Sequence, residues 1–108
     1  MNGRTRRHLE LRAQVIKALA HATRLYIVEQ LSHGERCVCD LTDGVGADTS
    51  TVSRHLGILK SAGIVESERR GKNVYYRLRT PCILDFLGCV ENVLTESEDA
   101  ARTCRVRS

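Results

Sequence analysis

The chain predicts a mainly α fold with one β-hairpin, in the order α-α-α-α-β-β-α. Three observations carry this. Apolar residues recur at helical spacing from about residue 6 to residue 62, interrupted by glycine-containing turns. From Ile64 to Leu78 the pattern changes to alternation within Val- and Tyr-rich runs. After Pro81 a helical pattern returns, and a charged tail follows it.

The first helix rests on Leu9, Leu11, Val15, Ile16 and Leu19, within residues 6–20. The second, over residues 22–32, rests on Leu25, Ile27, Val28 and Leu31, and His33-Gly34 supplies its stop. A short third helix fits residues 38–45, with Val38, Leu41 and Val45 inward and Gly44 and Gly46 as breakers. Asp48, Thr49 and Ser50 offer N-cap oxygens for a fourth helix. Val52, Leu56 and Leu59 form its buried stripe, and Ala62-Gly63 ends it. Two short helices joined by a tight polar turn make a helix-turn-helix. Two strands follow, joined by Arg69-Arg70-Gly71-Lys72-Asn73, in which Gly71 and Asn73 tolerate positive φ. A basic-tipped hairpin in this place is a wing, and the expected architecture is a winged helix-turn-helix.

Pro81 is well placed to open a last helix over residues 82–96. Ile83, Leu84, Phe86, Leu87, Val90, Val93 and Leu94 cover more than one of its faces. So apolar a terminal helix needs a partner beyond its own domain. With the amphipathic first helix, it predicts a homodimer built through the first and last helices. Residues 97–108 are polar and are expected to be a mobile tail.

At 108 residues the chain is read as one domain, 1–108, with no internal repeat. No run approaches the roughly 20 apolar residues of a membrane span, so no membrane partner is expected. Arg4, Arg6 and Arg7 are not followed by the apolar stretch of a secretory signal. A cytoplasmic location is expected. The five cysteines form an odd count, which in that compartment argues for reduced thiols over a disulfide framework.

Net charge is +4, unevenly placed. Ser53–Arg79 holds seven basic residues against Glu66 and Glu68, which favours a phosphate-bearing partner. Thr49, Thr51, Ser53, Arg54 and His55 are assigned to the exposed side of the fourth helix. Their hydroxyls, imidazole and guanidinium suit base edges and phosphates of double-stranded DNA. Lys60 and the wing residues Arg69, Arg70 and Lys72 complete the expected DNA surface. The ordinary alternative is a solvated polar face. His8, His21 and His33 are read as structural or exposed.

Cys37 and Cys39 stand two apart at a helix start, where the dipole and free N–H groups favour thiolate. Soft thiolates select soft ions: trivalent arsenic or antimony, cadmium, lead, mercury or monovalent copper. The bland reading is two small buried hydrophobes. Cys82 and Cys89 are seven apart, roughly 10 Å along one helix. Two sulfurs bound to one ion lie within roughly 4 Å, so these two cannot share one within a chain. Each is either core or active across a dimer. Cys104, in the tail, has no packing role and is the favoured third ligand, reaching the thiol pair of the other protomer.

Several blocks now stand in a specific order. They are Ala18-Leu19-Ala20-His21-Ala22-Thr23-Arg24-Leu25, Glu35-Arg36-Cys37-Val38-Cys39-Asp40-Leu41, Thr51-Val52-Ser53-Arg54-His55-Leu56, Leu59-Lys60-Ser61-Ala62-Gly63-Ile64-Val65 and Gly71-Lys72-Asn73-Val74-Tyr75-Tyr76-Arg77-Leu78. In this combination, over about residues 15–80, the chain resembles the ArsR–SmtB family of metal-sensing repressors. The resemblance implies a dimeric repressor that binds operator DNA and is released by its ligand. The Cys-Val-Cys-Asp-Leu box resembles the arsenic-responsive and cadmium/lead-responsive branches. The chain departs from the arsenic pattern at Thr42, where a third cysteine often stands. It departs from the cadmium/lead pattern in having no cysteine in residues 1–36, and Ala22 replaces the usual proline. No His follows residue 80, so the zinc site of the last helix is missing.

The function expected is a repressor released by a soft metalloid or metal ion, with no constitutive cofactor. The alternative is a thiol redox or persulfide sensor in which Cys37 or Cys39 bridges to Cys89 or Cys82. A non-sensing DNA-binding protein is the third reading. No glycine-rich phosphate loop, paired-carboxylate motif or HExxH is present to support an enzyme.

Overall fold

The computed structural model describes the backbone of residues 1–103 and the side chains of residues 1–96. Each of the first four helices begins at a side chain that accepts an otherwise orphaned N–H. Helix α1 spans Gly3–Leu19, with Asn2 Oδ1 accepting the Thr5 N–H at 2.8 Å. Helix α2 spans Ala22–Leu31 and is capped by His21, whose Nδ1 accepts the Thr23 N–H at 3.1 Å. Strand β1, Arg36–Cys37, leads directly into α3, Val38–Val45. Gly46 closes α3 in the left-handed conformation, φ 78°, which favours glycine. Helix α4 spans Thr49–Ser61. Its cap is Asp48, which accepts the Thr51 N–H at 3.2 Å and the Ser50 hydroxyl at 2.9 Å. Hydrogen bonds from Thr51 and Ser50 hold its carboxyl below the usual range.

The sheet has strand order β1-β3-β2, with both pairings antiparallel. Strands β2 (Val65–Arg70) and β3 (Asn73–Leu78) form the hairpin. Gly71 alone takes positive φ at its tip, 63°, the pattern of a type II′ turn; Asn73 does not use the left-handed region. Strand β1 pairs Arg36 with Tyr76 and Cys37 with Tyr75.

The core gathers Leu19, Ile27, Val28, Leu31, Leu41, Val52, Leu56, Leu59, Ile64 and Val65. Helix α3 rests closely on α2. A Cβ at Gly44 would lie 2.8 Å from the Tyr26 hydroxyl. Helix α5 spans Ile83–Thr103, so it continues beyond residue 96, where a mobile tail was expected to begin. Ile83, Leu84 and Leu87 pack against the core, whereas Phe86, Val90, Val93 and Leu94 stay exposed. On α1, Leu9, Leu11 and Ile16 are exposed as well. Among the described residues no helix is long and apolar enough to cross a membrane.

Candidate thiol centre and nucleic-acid interface

Cys37 sits at the junction of three elements. It ends β1, pairs with Tyr75 of the wing and is the N-cap of α3. Its Sγ accepts the Asp40 N–H at 3.4 Å, and the residue is 6% exposed. Cys39, in the first turn of α3, is exposed. The two Cα atoms lie 5.4 Å apart and the two sulfurs are in contact, close enough to share one ion or to be joined by oxidation. Cys82 and Cys89 are free and exposed rather than core. The same closeness lets both sulfurs face one ion. One ligand atom each from Cys37, Cys39 and Asp40 falls within 4.8 Å of the others. Asp40 as a donor is not distinguishable in the sequence, because a carboxylate in the first turn of a helix is ordinary dipole compensation. Cys104 lies outside the described residues.

Helix α4 presents Thr49, Ser53, Arg54 and Lys60 on its exposed side, with Thr51 half-buried. His55 is different. It is 9% exposed, and its ring lies against His21 with centroids 4.5 Å apart. The exposed placement expected for His55 is therefore corrected. Val52, His55, Leu56 and Leu59 occupy i, i+3, i+4 and i+7, which is one helical stripe. Burial pushes the imidazole pKa down, and the positive surroundings of His21, Arg24 and Arg54 add to this. Its Nδ1 is buried without a hydrogen-bond partner.

The wing cations divide into two groups. Alternation along β2 puts Glu66, Glu68 and Arg70 on one face and Ser67 and Arg69 on the other. Arg70 makes two hydrogen bonds to Glu35, at 2.6 and 2.9 Å, and two to Glu68, at 3.2 and 3.4 Å. It also lies 4.7 Å over the Tyr75 ring. Arg77 reaches Glu66 at 3.1 Å, Glu68 at 3.2 Å and Glu35 at 3.4 Å. These carboxylates raise the pKa of both guanidiniums, and the hydrogen bonds from Arg70 and Arg77 lower that of Glu68. Arg70 was expected as a free tip cation; it is instead turned back toward β1. Arg69 and Lys72 remain exposed at the tip. Lys60 Nζ donates to Ser67 Oγ at 2.8 Å, joining α4 to β2.

A helix-turn-helix with an exposed second helix, followed by a basic hairpin, defines a winged helix-turn-helix DNA-binding domain. The sequence profile of the bacterial regulatory protein, arsR family, matches residues 21–67. The chain is 44% identical over 70 residues to the HTH-type transcriptional repressor SmtB of Mycobacterium tuberculosis. That alignment covers 65% of this chain and 52% of SmtB, so the chain spans about half the length of the curated relatives it matches. A solution structure from Mycobacterium bovis, Mb0332, is described as a homodimeric winged helix-turn-helix DNA-binding domain and a possible ArsR-family regulator. It superposes with a TM-score of 0.80 and 34% identity, over 92% of each chain. The crystal structure of the AntR antimony-specific transcriptional repressor superposes with a TM-score of 0.67 and 35% identity. It covers 79% of this chain and 78% of AntR. The chain belongs to the ArsR family of DNA-binding regulators, a regulatory class rather than an enzymatic one.

Proposed function

We propose that this chain is a homodimeric transcriptional repressor, released from operator DNA when Cys37 and Cys39 close on a soft metalloid or metal ion. The observation that carries the reading is the convergence of two sulfurs and the Asp40 carboxylate within 4.8 Å, at the residue that joins wing to helix-turn-helix. Two thiolates favour trivalent arsenic or antimony, with cadmium and lead next. The antimony specificity in the name of AntR and the repressor activity in the name of SmtB support the same assignment. The homodimeric description of Mb0332 and the exposed apolar faces of α1 and α5 support the dimer. Cys104 is proposed as the third thiolate, with Asp40 as the oxygen donor available within the chain. Thr49, Thr51, Ser53 and Arg54 are assigned to base edges and neighbouring phosphates, and Lys60, Arg69 and Lys72 to the backbone.

Release follows from differential binding. Thiols that close on an ion draw the end of β1 and the first turn of α3 together. Helix α3 packs against α4, so the recognition helices of a dimer lose their match to successive major grooves. A coupling of about 1–3 kcal/mol weakens operator binding roughly 5–150-fold. The test is operator binding with arsenite, antimonite, cadmium, lead and hydrogen polysulfide side by side. Cys37→Ser and Cys39→Ser keep DNA binding and lose the response. Serine also preserves the cap of α3. A double Cys37/Cys39 variant still released by the same ion refutes the site.

The sulfur contact between Cys37 and Cys39 favours one second reading, a redox switch within this pair. In that case polysulfide releases the operator and none of the ions does.

A further inference from the structure

Three helices bring cations to a groove that the thiol centre and the wing do not use. Lys17 of α1, Arg24 of α2 and Arg54 of α4 line an open groove of about 810 Å³ over a floor that includes Ala18, Gly57 and Ile58. Among the described residues no carboxylate lines it, and none of the three cations makes an ion pair. The contrast with the wing is direct, since Arg70 and Arg77 are both answered by glutamates. Arg24 Nε is buried and has no hydrogen-bond partner. Arg54 belongs also to the exposed side of α4, next to Ser53, so the groove is continuous with the surface assigned to base edges. Three uncompensated cations with a donor left over call for an anion, and a guanidinium pair beside an ammonium suits a phosphate.

We propose that this groove seats a phosphate of the DNA backbone, flanking the bases that α4 faces. The inference rests on the DNA-binding reading given above. It extends the footprint from α4 and the hairpin to the ends of α1 and α2. A contact of this kind fixes register on the duplex and carries no sequence information. Lys17 also lies in the last turn of α1, where a cation favours the helix dipole. That role affects stability but leaves the salt dependence of DNA binding unchanged.

The test uses the full chain and measures affinity for operator and for unrelated duplex across a salt series. Lys17→Gln and Arg24→Gln should each weaken both duplexes alike. Each should lower the slope of log affinity against log salt by about 0.9 per phosphate left unneutralised, hence by about two for a dimer. Melting temperatures separate this from misfolding, and Lys17→Glu, on the surface, gives a larger effect in the same direction. Inorganic phosphate at constant ionic strength distinguishes the sources of the anion. Displacement of the DNA only at high millimolar phosphate supports a backbone seat. Phosphate bound tightly by the free protein, with the salt slope unchanged in folded Lys17 and Arg24 variants, overturns it. Failure of the wild type to bind any duplex would sink the DNA-binding reading itself. Wild-type binding with unaltered variants sinks only the groove.

Discussion

Glu35 holds Arg70 with both carboxylate oxygens, at 2.6 and 2.9 Å, across 35 positions of sequence. Glu35 is two residues before Cys37, and Arg70 is next to the hairpin tip. The ion pair therefore ties the approach to the thiol centre to the wing. Glu35→Gln should leave the fold intact and free Arg70 and Arg77 for phosphate. The expected outcome is unchanged or tighter operator binding without ligand, a steeper salt slope, and ligand-induced release reduced several-fold toward none. Fluorescence anisotropy with and without the inducing ion reads both effects. Full release in the Glu35→Gln protein would show that the wing is not part of the coupling.

The two groups of wing cations should behave differently. Neutralising Arg69 and Lys72 should weaken binding to every duplex and flatten the salt slope by about one unit for each phosphate the wing no longer neutralises. Arg70→Ala should change the slope less, because its charge is already answered by Glu35 and Glu68. Equal slopes for the three variants would contradict the division of the hairpin into two faces.

His55 makes stability depend on pH. Its folded pKa lies below the ordinary value of 6.5, chiefly through burial. The unfolded chain therefore binds the proton more readily than the folded one. Stability is full above about pH 6.5 and falls as pH drops toward the folded pKa. A melting series from pH 7.5 to pH 5 should show this loss in the wild type and a shallower one in His55→Gln. Parallel curves for the two proteins would remove His55 as the source.

The apolar exposure of α5 predicts its assembly. Val90→Asp with Leu94→Asp should give a folded monomer with weak operator binding, since one protomer reads one half-site. Sedimentation velocity gives the oligomeric state. A wild-type monomer at micromolar concentration would end the dimer proposal.

Periodicity made the helices, the hairpin and the thiol pair legible in the sequence, because each is a local pattern. Helix α3 lies at the residues its breakers Gly44 and Gly46 indicated. Strand β1 is two residues long, too short to show alternation, and it exists only because β3 offers Arg36 and Cys37 a partner. The Glu35 network could not be read, since ion pairs between distant strands leave no spacing in the chain. His55 was readable by position and was hidden by its polarity: a histidine between Val52 and Leu56 completes an inward stripe whatever its chemistry. The start of α1 moved to Gly3 because Asn2 caps it ahead of the first apolar residue. Helix α5 runs on past residue 96 because the charge that ends an apolar stripe does not end a helix.

The missing side chain at Gly44 has a mechanical consequence. Near its C-terminal end, α3 is pressed against the Tyr26 hydroxyl, while the thiols occupy its other end. In the proposed ligand response, this close approach would make Gly44 the pivot of the helix. Cys39 lies five residues from that pivot, roughly 7.5 Å along the axis. A pull of about 1 Å at the sulfur end tilts such an arm by roughly 8°. Leu41, buried midway along the arm in the same core cluster as Val52 and Leu56 of α4, would pass such a tilt to α4. On the proposed reading, a short helix held at one end would turn a bond-length displacement at its thiols into a change of helix orientation.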